Sequence, residues 1–231
     1  MLAIRDEMLH NIIDAPIPSK KVRWLYDTIS PFYKYVTRYE RAIKEKGISI
    51  ADIKPGSTVL DVAVGTGHTL RKFSKMVGQY GVVCGIDLST KMLTITRNYV
   101  QDTAAAARVY FTLGDARRLP YREELFDVVF NSYMLDLIDT PEIPRVLDEF
   151  KRVLKPGGRL VVVSLSKGAN WYSDMKLYEE VYHLCPTLLG GCRPVFCKPF
   201  MEDLGFQNIN REFVLVGRMF PSEIVSGDKP N

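Results

Sequence analysis

The sequence predicts an α/β fold, a doubly wound sheet that is mostly parallel and is preceded by helices. From Ser57 onward, short apolar segments alternate with segments of helical periodicity, which favours parallel strands joined by right-handed helical crossovers. The apolar segments are almost continuously hydrophobic, which is typical of strands buried on both faces. A chain of 231 residues suits one substantial domain with a full core.

Seven segments have the composition of strands, because β-branched and aromatic residues dominate them. Five of them are expected to form the parallel part of the sheet: residues 59–62, 82–86, 108–113, 128–131 and 160–163. The last two segments, 207–216 and 219–225, are joined by a short turn around Gly217. Because so short a connection requires an antiparallel hairpin, the sheet should end in an antiparallel C-terminal strand.

Helical segments lie between the strands. The clearest covers residues 141–154, with Thr140 as the expected N-cap and apolar residues spaced three and four apart. The motif PGG at residues 156–158 is expected to stop this helix and turn the chain into the next strand. Shorter helices are expected over residues 69–77 and 196–204.

The first 50 residues are expected to form a helical appendage to a domain that spans residues 51–231. Between Lys20 and Lys46, eight lysines and arginines stand against three acidic residues, and six aromatic residues accompany them. This pattern predicts two basic, aromatic helices that are broken near Pro31. Two interpretations are open: a lid over the active site that touches an anionic membrane surface, or a packing helix with solvated lysines.

Composition argues against several classes of protein. The formal net charge of +4 is too small to argue for nucleic-acid binding, and no run of about 18 apolar residues predicts a transmembrane helix. Charges at Arg5, Asp6 and Glu7 precede any signal-peptide core. A cytoplasmic protein is therefore expected, one that is peripheral at a membrane if the lid interpretation holds.

The four cysteines do not have the spacing of a zinc site, so no metal is expected. Cys84 lies in an apolar strand and is expected to be a small core residue. Cys185, Cys192 and Cys197 cluster in LCPTLLGGCRPVFC. For this cluster, the alternatives are a thiol-based metalloid or redox site and three reduced, partly buried thiols.

A glycine-containing turn follows the first predicted strand, in the segment VLDVAVGTGH. Gly65 and Gly67 would let backbone N–H groups approach a ligand at the N-terminus of the next helix. Because ligands bind at the carboxyl ends of strands in such sheets, the turn predicts a nucleotide site, with a tight turn without ligand as the alternative. No Lys-Ser/Thr pair follows, which excludes a P-loop, and Leu70 stands where the third glycine of a dinucleotide fingerprint belongs.

Three further strand ends carry polar residues. Asp87 follows the second strand, where a carboxylate accepts two hydrogen bonds from a ribose diol or caps the following helix. Asp115 follows the third strand, where it accepts from an exocyclic amine beside Ala116 or belongs to an ordinary turn. The fourth strand ends at the same rim with three polar residues: Asn131, Ser132 and Tyr133.

With these elements in this order, the sequence resembles the class I S-adenosylmethionine-dependent methyltransferases over roughly residues 25–206. VLDVAVGTG is similar to the first motif of that family, GIDLSTKML to the second, GDARRLP to the third and FDVVFNSYML to the fourth. The closest resemblance is to the ubiquinone/menaquinone-biosynthesis C-methyltransferases, which share Tyr26-Asp27, the form of the first motif, and LKPGGRL at residues 154–160. The resemblance implies a Rossmann-like seven-stranded sheet and S-adenosylmethionine as the cofactor.

The resemblance also implies roles for individual residues. Asp87 would bind the ribose hydroxyls with Leu88 against the adenine, while Asp115 and Ala116 would hold the adenine edge. The residues implied around the methionine part of the cofactor are Asp61, Ala63, Gly65, Thr66 and Gly67.

Other residues are implied at the rim of the site. Ser132 would face the cofactor and the incoming substrate, with Asn131 beside it. Tyr26, together with Tyr33 and Tyr35, is a candidate to cover the site and contact the positive charge of the cofactor.

The sequence contains no clear nucleophile–base arrangement, and the candidate catalytic residues are His68, Tyr33 and His183. His68 follows the glycine turn and is either a substrate-side base or a residue that lines the first helical turn. His183 is either a base or a packed histidine. Arg193 either anchors an anionic headgroup or pairs with a carboxylate.

Departures from the resemblance leave the methyl acceptor open. Val64 and His68 replace the glycine and aspartate that the branch usually has, and the fourth motif lacks its Gly and Arg-Asn. The segment after the fifth strand is closer to relatives that methylate phospholipid amines or have no assigned acceptor. The expected activity is methyl transfer to a small or lipid-like acceptor, in one form C-methylation of a quinone precursor. The alternatives are a phospholipid-amine N-methyltransferase, an NAD-dependent oxidoreductase and a non-catalytic cofactor-binding protein.

Overall fold

The structure is a computed structural model that describes residues 18–29, 40–101, 107–167, 176–186, 191–216 and 220–231. Its strands, numbered in chain order, are β1 (Thr58–Val62), β2 (Val82–Asp87), β3 (Arg108–Leu113), β4 (Phe126–Ser132), β5 (Leu154–Leu165), β6 (Gln207–Val216) and β7 (Phe220–Asp228). Its helices are α1 (Ser19–Ile29), α2 (Glu40–Ile50), α3 (His68–Val77), α4 (Thr90–Gln101), α5 (Ile143–Val153), α6 (Lys176–Leu184) and α7 (Cys197–Asp203). None of these helices is long and apolar enough to cross a membrane.

The strands form one sheet in the order β3-β2-β1-β4-β5-β7-β6, which confirms the predicted doubly wound fold. Neighbours from β3 to β5 pair in parallel, whereas β7 lies antiparallel between β5 and β6. The antiparallel C-terminal strand and its hairpin with β6 are therefore confirmed. The strand order reverses between β1 and β4, because the chain leaves β1 toward β2 and β3 and returns to β4 on the other side. A ligand cleft is expected where the order reverses.

The prediction that the PGG motif turns the chain ahead of the fifth strand is wrong. The motif PGG at residues 156–158 lies inside β5, which begins at Leu154 directly after α5. The pairing of β4 with β5 shifts its register between Phe126 and Val128. A bulge at this point lets the strand contain a proline and two glycines without ending.

Two other elements also differ from the predictions. Thr140 is not the N-cap of α5, because a 3₁₀ turn (Thr140–Glu142) precedes that helix and is capped by the side chain of Asp139. β3 is not buried on both faces, and in the described part of the chain it lies at the edge of the sheet beside β2. Tyr110 and Leu113 of this strand are each more than half exposed.

A hydrophobic core lies on each face of the sheet. On one face, α5 and α7 pack against the strands through residues such as Phe150 and Met201. On the other face, α2, α3 and α4 contribute residues such as Ile43, Phe73 and Val100. Cys84 of β2 is buried in the first of these cores, as predicted.

The N-terminal helices α1 and α2 are held in different ways. α2 shares the core through Ile43, and its close approach to the sheet requires Gly47, since a Cβ there would lie 2.9 Å from Val163 Cγ2. None of the described side chains of α1 is buried. α1 ends at Ile29, and the helix expected to begin at Pro31 lies outside the described residues. The division of the chain at residue 50 stays a prediction.

Candidate active site

A cleft lies at the carboxyl ends of β1, β2, β3 and β4, where the strand order reverses. It contains about 850 Å³ of empty space, counted together with its opening to solvent. Strand ends and the turns that follow them form its polar wall, while α1 and the segment after β4 form the rest. The polar side chains of this wall are Asp87, Ser89, Asp115, Arg117 and Ser132, and they lie among small and apolar residues: Val62, Ala63, Gly65, Ile86, Leu88, Met92, Gly114 and Ala116.

The turn between β1 and α3 has a backbone that few residue types adopt. Ala63, Gly65 and Gly67 have positive φ values of 60°, 54° and 83°. Gly67 must be glycine, because a Cβ there would lie 2.7 Å from Thr96 Cγ2. Ala63 carries a Cβ in the same strained region and lines the cleft, and such strain is typical of functional sites. α3 then begins without a side-chain cap at Gly67, and the backbone N–H of Leu70 in its first turn bonds to the Asp61 carboxyl.

Asp87 ends β2 with its carboxylate already oriented by backbone hydrogen bonds from Ser89, Gly65 and Leu88. Its Oδ1 accepts a hydrogen bond from the Ser89 N–H at 2.8 Å, and its Oδ2 accepts one from the Gly65 N–H at 3.1 Å. Burial, with a smaller contribution from the charge of Asp27, raises the pKa of this carboxyl to about 6. Asp87 does not cap α4, because Ser89 Oγ accepts from the Met92 N–H at 3.0 Å. With three backbone hydrogen bonds on about four lone-pair sites, the Asp87 carboxylate keeps acceptor capacity for a ligand in the cleft.

Asp115 follows β3 and is held by Arg117. Arg117 Nε donates to Asp115 Oδ1 at 3.0 Å, and Arg117 Nη2 donates to Oδ2 at 2.5 Å. Although burial by itself raises it, the pKa of the Asp115 carboxyl lies below its ordinary value because of the hydrogen bonds from Arg117. Both residues line the cleft, so the predicted adenine-edge acceptor is present as an ion pair.

Asp61 and Asn131 are both fully buried and do not belong to the cleft lining. Asp61 Oδ2 accepts a hydrogen bond from Thr69 Oγ1 at 2.5 Å, and burial raises the pKa of this carboxyl to about 7. Asn131 Nδ2 donates to the Val62 carbonyl at 3.0 Å. Within the described part of the chain, Asp61 Oδ1 and Asn131 Oδ1 have no hydrogen-bond partner. Buried oxygens of this kind usually receive a donor from a water or a ligand.

The cleft brings together most of the residues that the sequence marked as cofactor-binding. Those that line it are Tyr26, Ala63, Gly65, Asp87, Leu88, Asp115, Ala116 and Ser132. Those that do not line it are Asp61, Thr66, Gly67 and Asn131. The second group belongs to β1, to the turn after it and to β4, so its members adjoin lining residues along the chain.

Neither of the catalytic candidates that the structure describes lines the cleft. His68 Nε2 lies 2.8 Å from Glu45 Oε1 of α2, and burial lowers the pKa of this imidazole. His68 is thus in the first turn of α3, on the side that faces α2. His183 is exposed near the end of α6, so it is not packed in the core. Tyr33 and Tyr35 lie outside the described residues.

An apolar wall, which was not predicted from the sequence, completes the cleft. Tyr133, with a positive φ of 54°, turns the chain out of β4 into this wall, and its hydroxyl lies 3.0 Å from Ser222 Oγ. The mostly apolar segment YMLDLI, which overlaps the end of the fourth motif, was the available signal, but it did not indicate which side chains face the cleft. The wall consists of Val22 from α1 and three residues that follow β4: Met134, Leu137 and Ile138.

Arg193 supports this wall and is not available to a ligand headgroup. Its side chain is fully buried, and its Nη2 donates to the Ile138 carbonyl at 2.5 Å and to Thr140 Oγ1 at 3.1 Å. Burial raises the pKa of the nearby Asp136 carboxyl well above its ordinary value, and the charge of Arg193 opposes that shift. The structure therefore does not support the headgroup interpretation of Arg193, whose charge lies near the Asp136 carboxyl.

The three clustered cysteines are free thiols in different environments. Cys197 is buried, Cys192 is partly buried and Cys185 is exposed. Burial raises the pKa of the Cys192 and Cys197 thiols, so neither is a thiolate at neutral pH. Cys192 Sγ instead lies 3.7 Å from the Tyr26 hydroxyl of α1. Among the described residues, no group of His, Cys, Asp and Glu side chains is arranged to hold a metal ion.

The sheet order and the cleft at its switch point define the class, a Rossmann-like α/β protein with the methyltransferase topology. SpnF, a [4+2]-cyclase, is 20% identical and aligns over 93% of this chain and 98% of its own, with a TM-score of 0.73. A SAM-dependent methyltransferase from Aquifex aeolicus is 26% identical and aligns over 80% of this chain and 89% of its own, with a TM-score of 0.58. At 20% identity, the likeness to SpnF shows the fold alone.

Residues 19–190 match the sequence model of the ubiE/COQ5 methyltransferase family, and the chain belongs to that family. The ubiquinone/menaquinone biosynthesis C-methyltransferase UbiE of Ectopseudomonas mendocina is 39% identical over 130 residues, which are 56% of this chain and 50% of that protein. UbiE of Saccharophagus degradans is 29% identical over 181 residues, 76% of this chain and 72% of that protein. The chain thus spans about half the length of the first of these relatives. Family membership indicates S-adenosylmethionine as the cofactor.

Proposed function

We propose that the protein transfers the methyl group of S-adenosylmethionine to a ring carbon of a small or lipid-like quinone precursor. The observation that carries the proposal is the division of the cleft into a polar half, built from strand ends, and an apolar half, built from α1 and the segment after β4. The polar half suits a nucleoside, and the apolar half suits an uncharged ring. The relatives named C-methyltransferases of ubiquinone and menaquinone biosynthesis support this choice of acceptor.

The polar half contains groups that fit S-adenosylmethionine. The two oxygens of Asp87 would accept hydrogen bonds from the two ribose hydroxyls. Leu88 and Ala116 would flank the flat adenine, with Asp115 at its edge. The buried Asp61 Oδ1, which lacks a donor among the described residues, would accept one from the methionine part of the cofactor or from a bridging water.

The apolar half would place the acceptor. S-adenosylmethionine supplies a methyl group on a positively charged sulfur, which is already an activated leaving group. The protein therefore has to align the acceptor with that methyl group and exclude water. Met134, Leu137 and Ile138 offer a wall without side-chain hydrogen-bonding groups, which orients a ring by its shape. Ser132 ends β4 just before this wall, so its hydroxyl is placed to contact a phenolic oxygen of the ring.

A phosphate-bearing amine suits the cleft less well than a quinone precursor. Such a headgroup requires cations, and the arginines among the described lining residues are each next to an aspartate: Arg23 beside Asp27 and Arg117 beside Asp115. A Haemonchus contortus N-methyltransferase, solved with phosphomonomethylethanolamine and S-adenosylhomocysteine, is 18% identical with a TM-score of 0.64 over 81% of this chain and 53% of its own. That likeness concerns the fold, so it does not favour an amine acceptor.

Leu70 argues against the NAD alternative. It is fully buried, and a Cβ on Gly85 would lie 2.7 Å from its Cδ1. In a dinucleotide site, a third glycine lets helix and strand pack closely under the pyrophosphate. Here the Leu70 side chain fills that space. Because the neighbour SpnF is a [4+2]-cyclase, the fold by itself does not define the reaction, and the product has to be measured.

The proposal is tested by the fate of a labelled methyl group. The purified protein is incubated with methyl-labelled S-adenosylmethionine and either a demethylated quinol or a phosphatidylethanolamine dispersion. We expect label on a ring carbon of the quinol and none on the amine. Label on the amine alone, or on neither acceptor, would contradict the proposal.

We also propose that α1 forms a lid whose outer face meets the membrane that supplies a lipid-like acceptor. Trp24 is 67% exposed, and Lys21 is exposed near it, whereas Val22 and Tyr26 line the cleft. An exposed tryptophan beside cations is typical of helices at an anionic lipid interface. In sedimentation with phosphatidylglycerol vesicles, Trp24→Ala should bind less than the parent chain. Equal binding of the two proteins, or no binding of either, would refute this contact.

A further inference from the structure

α1 is attached to the rest of the protein by polar contacts and not by the core. None of its described side chains is buried, and none belongs to either hydrophobic core cluster. It nevertheless covers part of the cleft, since Val22, Arg23 and Tyr26 line it. The contacts that hold this helix therefore decide how firmly the cleft is closed.

The main attachment joins Asp27 of α1 to the segment that follows β2. Asp27 Oδ1 accepts a hydrogen bond from Ser89 Oγ, which lies 62 residues away in the sequence. Lys91 Nζ adds a hydrogen bond to the Asp27 carbonyl at 3.1 Å, and Arg23 Nε lies 4.0 Å from Asp27 Oδ2. Asp27 is thus the residue of α1 on which a side-chain, a backbone and a charge contact converge.

The Ser89 hydroxyl has a fixed direction. Its oxygen accepts from the Met92 N–H at 3.0 Å as the N-cap of α4, so its single proton is left for Asp27. The Ser89 N–H donates to Asp87 Oδ1 at 2.8 Å. One residue therefore links the carboxylate on α1 to the carboxylate that the proposed function assigns to the ribose.

We infer that Asp27 is a positioning residue that latches α1 over the cofactor half of the cleft through Ser89. This inference rests on the proposed function, because it concerns exchange of the same cofactor. With the latch closed, Val22 and Tyr26 stay over the cleft, and a bound nucleoside leaves only after the Asp27–Ser89 hydrogen bond breaks. Asp27 touches neither the cofactor nor the acceptor in this scheme, so it controls release and not the chemical step.

The test compares dissociation rates of S-adenosylhomocysteine from the immobilised full chain by surface plasmon resonance. Asp27→Ala should raise the dissociation rate about tenfold, the equivalent of one hydrogen bond to a charged group. Asp27→Asn should restore a rate within about threefold of the parent, because its amide oxygen still accepts from Ser89. Thr94→Ala on α4 is the matched control, since Thr94 Oγ1 donates to the Thr90 carbonyl of its own helix at 2.9 Å, and its rate should not change.

The choice of variants separates loss of the latch from loss of stability. Asp27→Ala leaves the Ser89 cap of α4 intact, so its melting temperature should stay close to that of the parent, whereas Ser89→Ala would lose the cap as well. An unchanged dissociation rate in Asp27→Ala would overturn the latch. Equal acceleration in Asp27→Ala and Asp27→Asn would also overturn it, because the hydrogen bond would not be the cause. Failure of the parent chain to bind S-adenosylhomocysteine would instead overturn the proposed function.

Discussion

The two N-terminal helices come from one basic stretch of sequence, yet α2 belongs to the core and α1 belongs to the cleft. α2 buries Ile43 and Ile48 under the sheet. α1 has no buried described side chain, and Asp27 joins it to Ser89. The comparison teaches that charge and aromatic content do not distinguish a structural helix from one that covers a site. The two helices differ in their contacts: α2 buries apolar side chains, whereas α1 makes polar contacts with the segment that follows a strand.

The largest expected effect tests the core half of this comparison. Ile43→Ala in α2 should lower the free energy of unfolding by roughly 2–5 kcal/mol, because it leaves a cavity against the sheet. Val22→Ala in α1 should lower it by less than about 1 kcal/mol, since that side chain is only half-buried. Urea denaturation of both variants measures the difference. Similar losses of unfolding free energy in the two variants would contradict the view that α2 belongs to the core and α1 does not.

The next effect tests whether the cleft under α1 is the cofactor site. Asp87→Ala should weaken binding of S-adenosylhomocysteine by on the order of 2–4 kcal/mol, because the ribose loses charge-assisted hydrogen bonds. Isothermal titration calorimetry gives the dissociation constant. Asp148→Ala, an exposed aspartate of α5, is the matched control and should bind like the parent. An unchanged dissociation constant in Asp87→Ala would refute the assignment.

A smaller effect follows from the protonation of Asp87. Burial raises the pKa of this carboxyl to about 6, and only the ionised form accepts two hydrogen bonds from a diol. Affinity for S-adenosylhomocysteine should therefore fall by up to about tenfold per pH unit below this pKa, because proton binding to Asp87 competes with the ligand. Asp61, whose pKa is raised to about 7, titrates in a separate step at higher pH, so the Asp87 step is the part of the profile that Asp87→Asn removes. Titrations between pH 5 and 8 measure this dependence. A flat profile in the parent chain, or the same slope in Asp87→Asn, would argue against the assignment.

The sequence was sufficient for the features that depend on neighbouring residues. Continuous apolar segments located the central strands, and the polar residues directly after them fixed the strand ends that meet in the cleft. Gly67 was recognisable as a glycine of the turn between a strand and a helix, and the structure gives it a positive φ and a contact with Thr96 that exclude a side chain. The short link between the last two strands likewise required the antiparallel hairpin.

Features that depend on distant contacts could not be predicted in this way. The link from Asp27 to Ser89 joins two helical regions whose separation the sequence does not reveal. The PGG motif has strong turn propensity, but it lies in a bulge of β5, because Leu154 before it pairs with Phe126 and Arg159 after it pairs with Val128. The charge pair of Asp115 with Arg117 depends on side-chain rotamers, so it too was outside what residue spacing could predict.

The most direct test of the proposed cofactor site is a crystal structure of the protein with S-adenosylhomocysteine. We expect the two ribose hydroxyls within hydrogen-bond distance of the Asp87 carboxylate, and the sulfur directed toward Met134, Leu137 and Ile138. A ligand bound elsewhere, or one whose sugar does not contact Asp87, would contradict it.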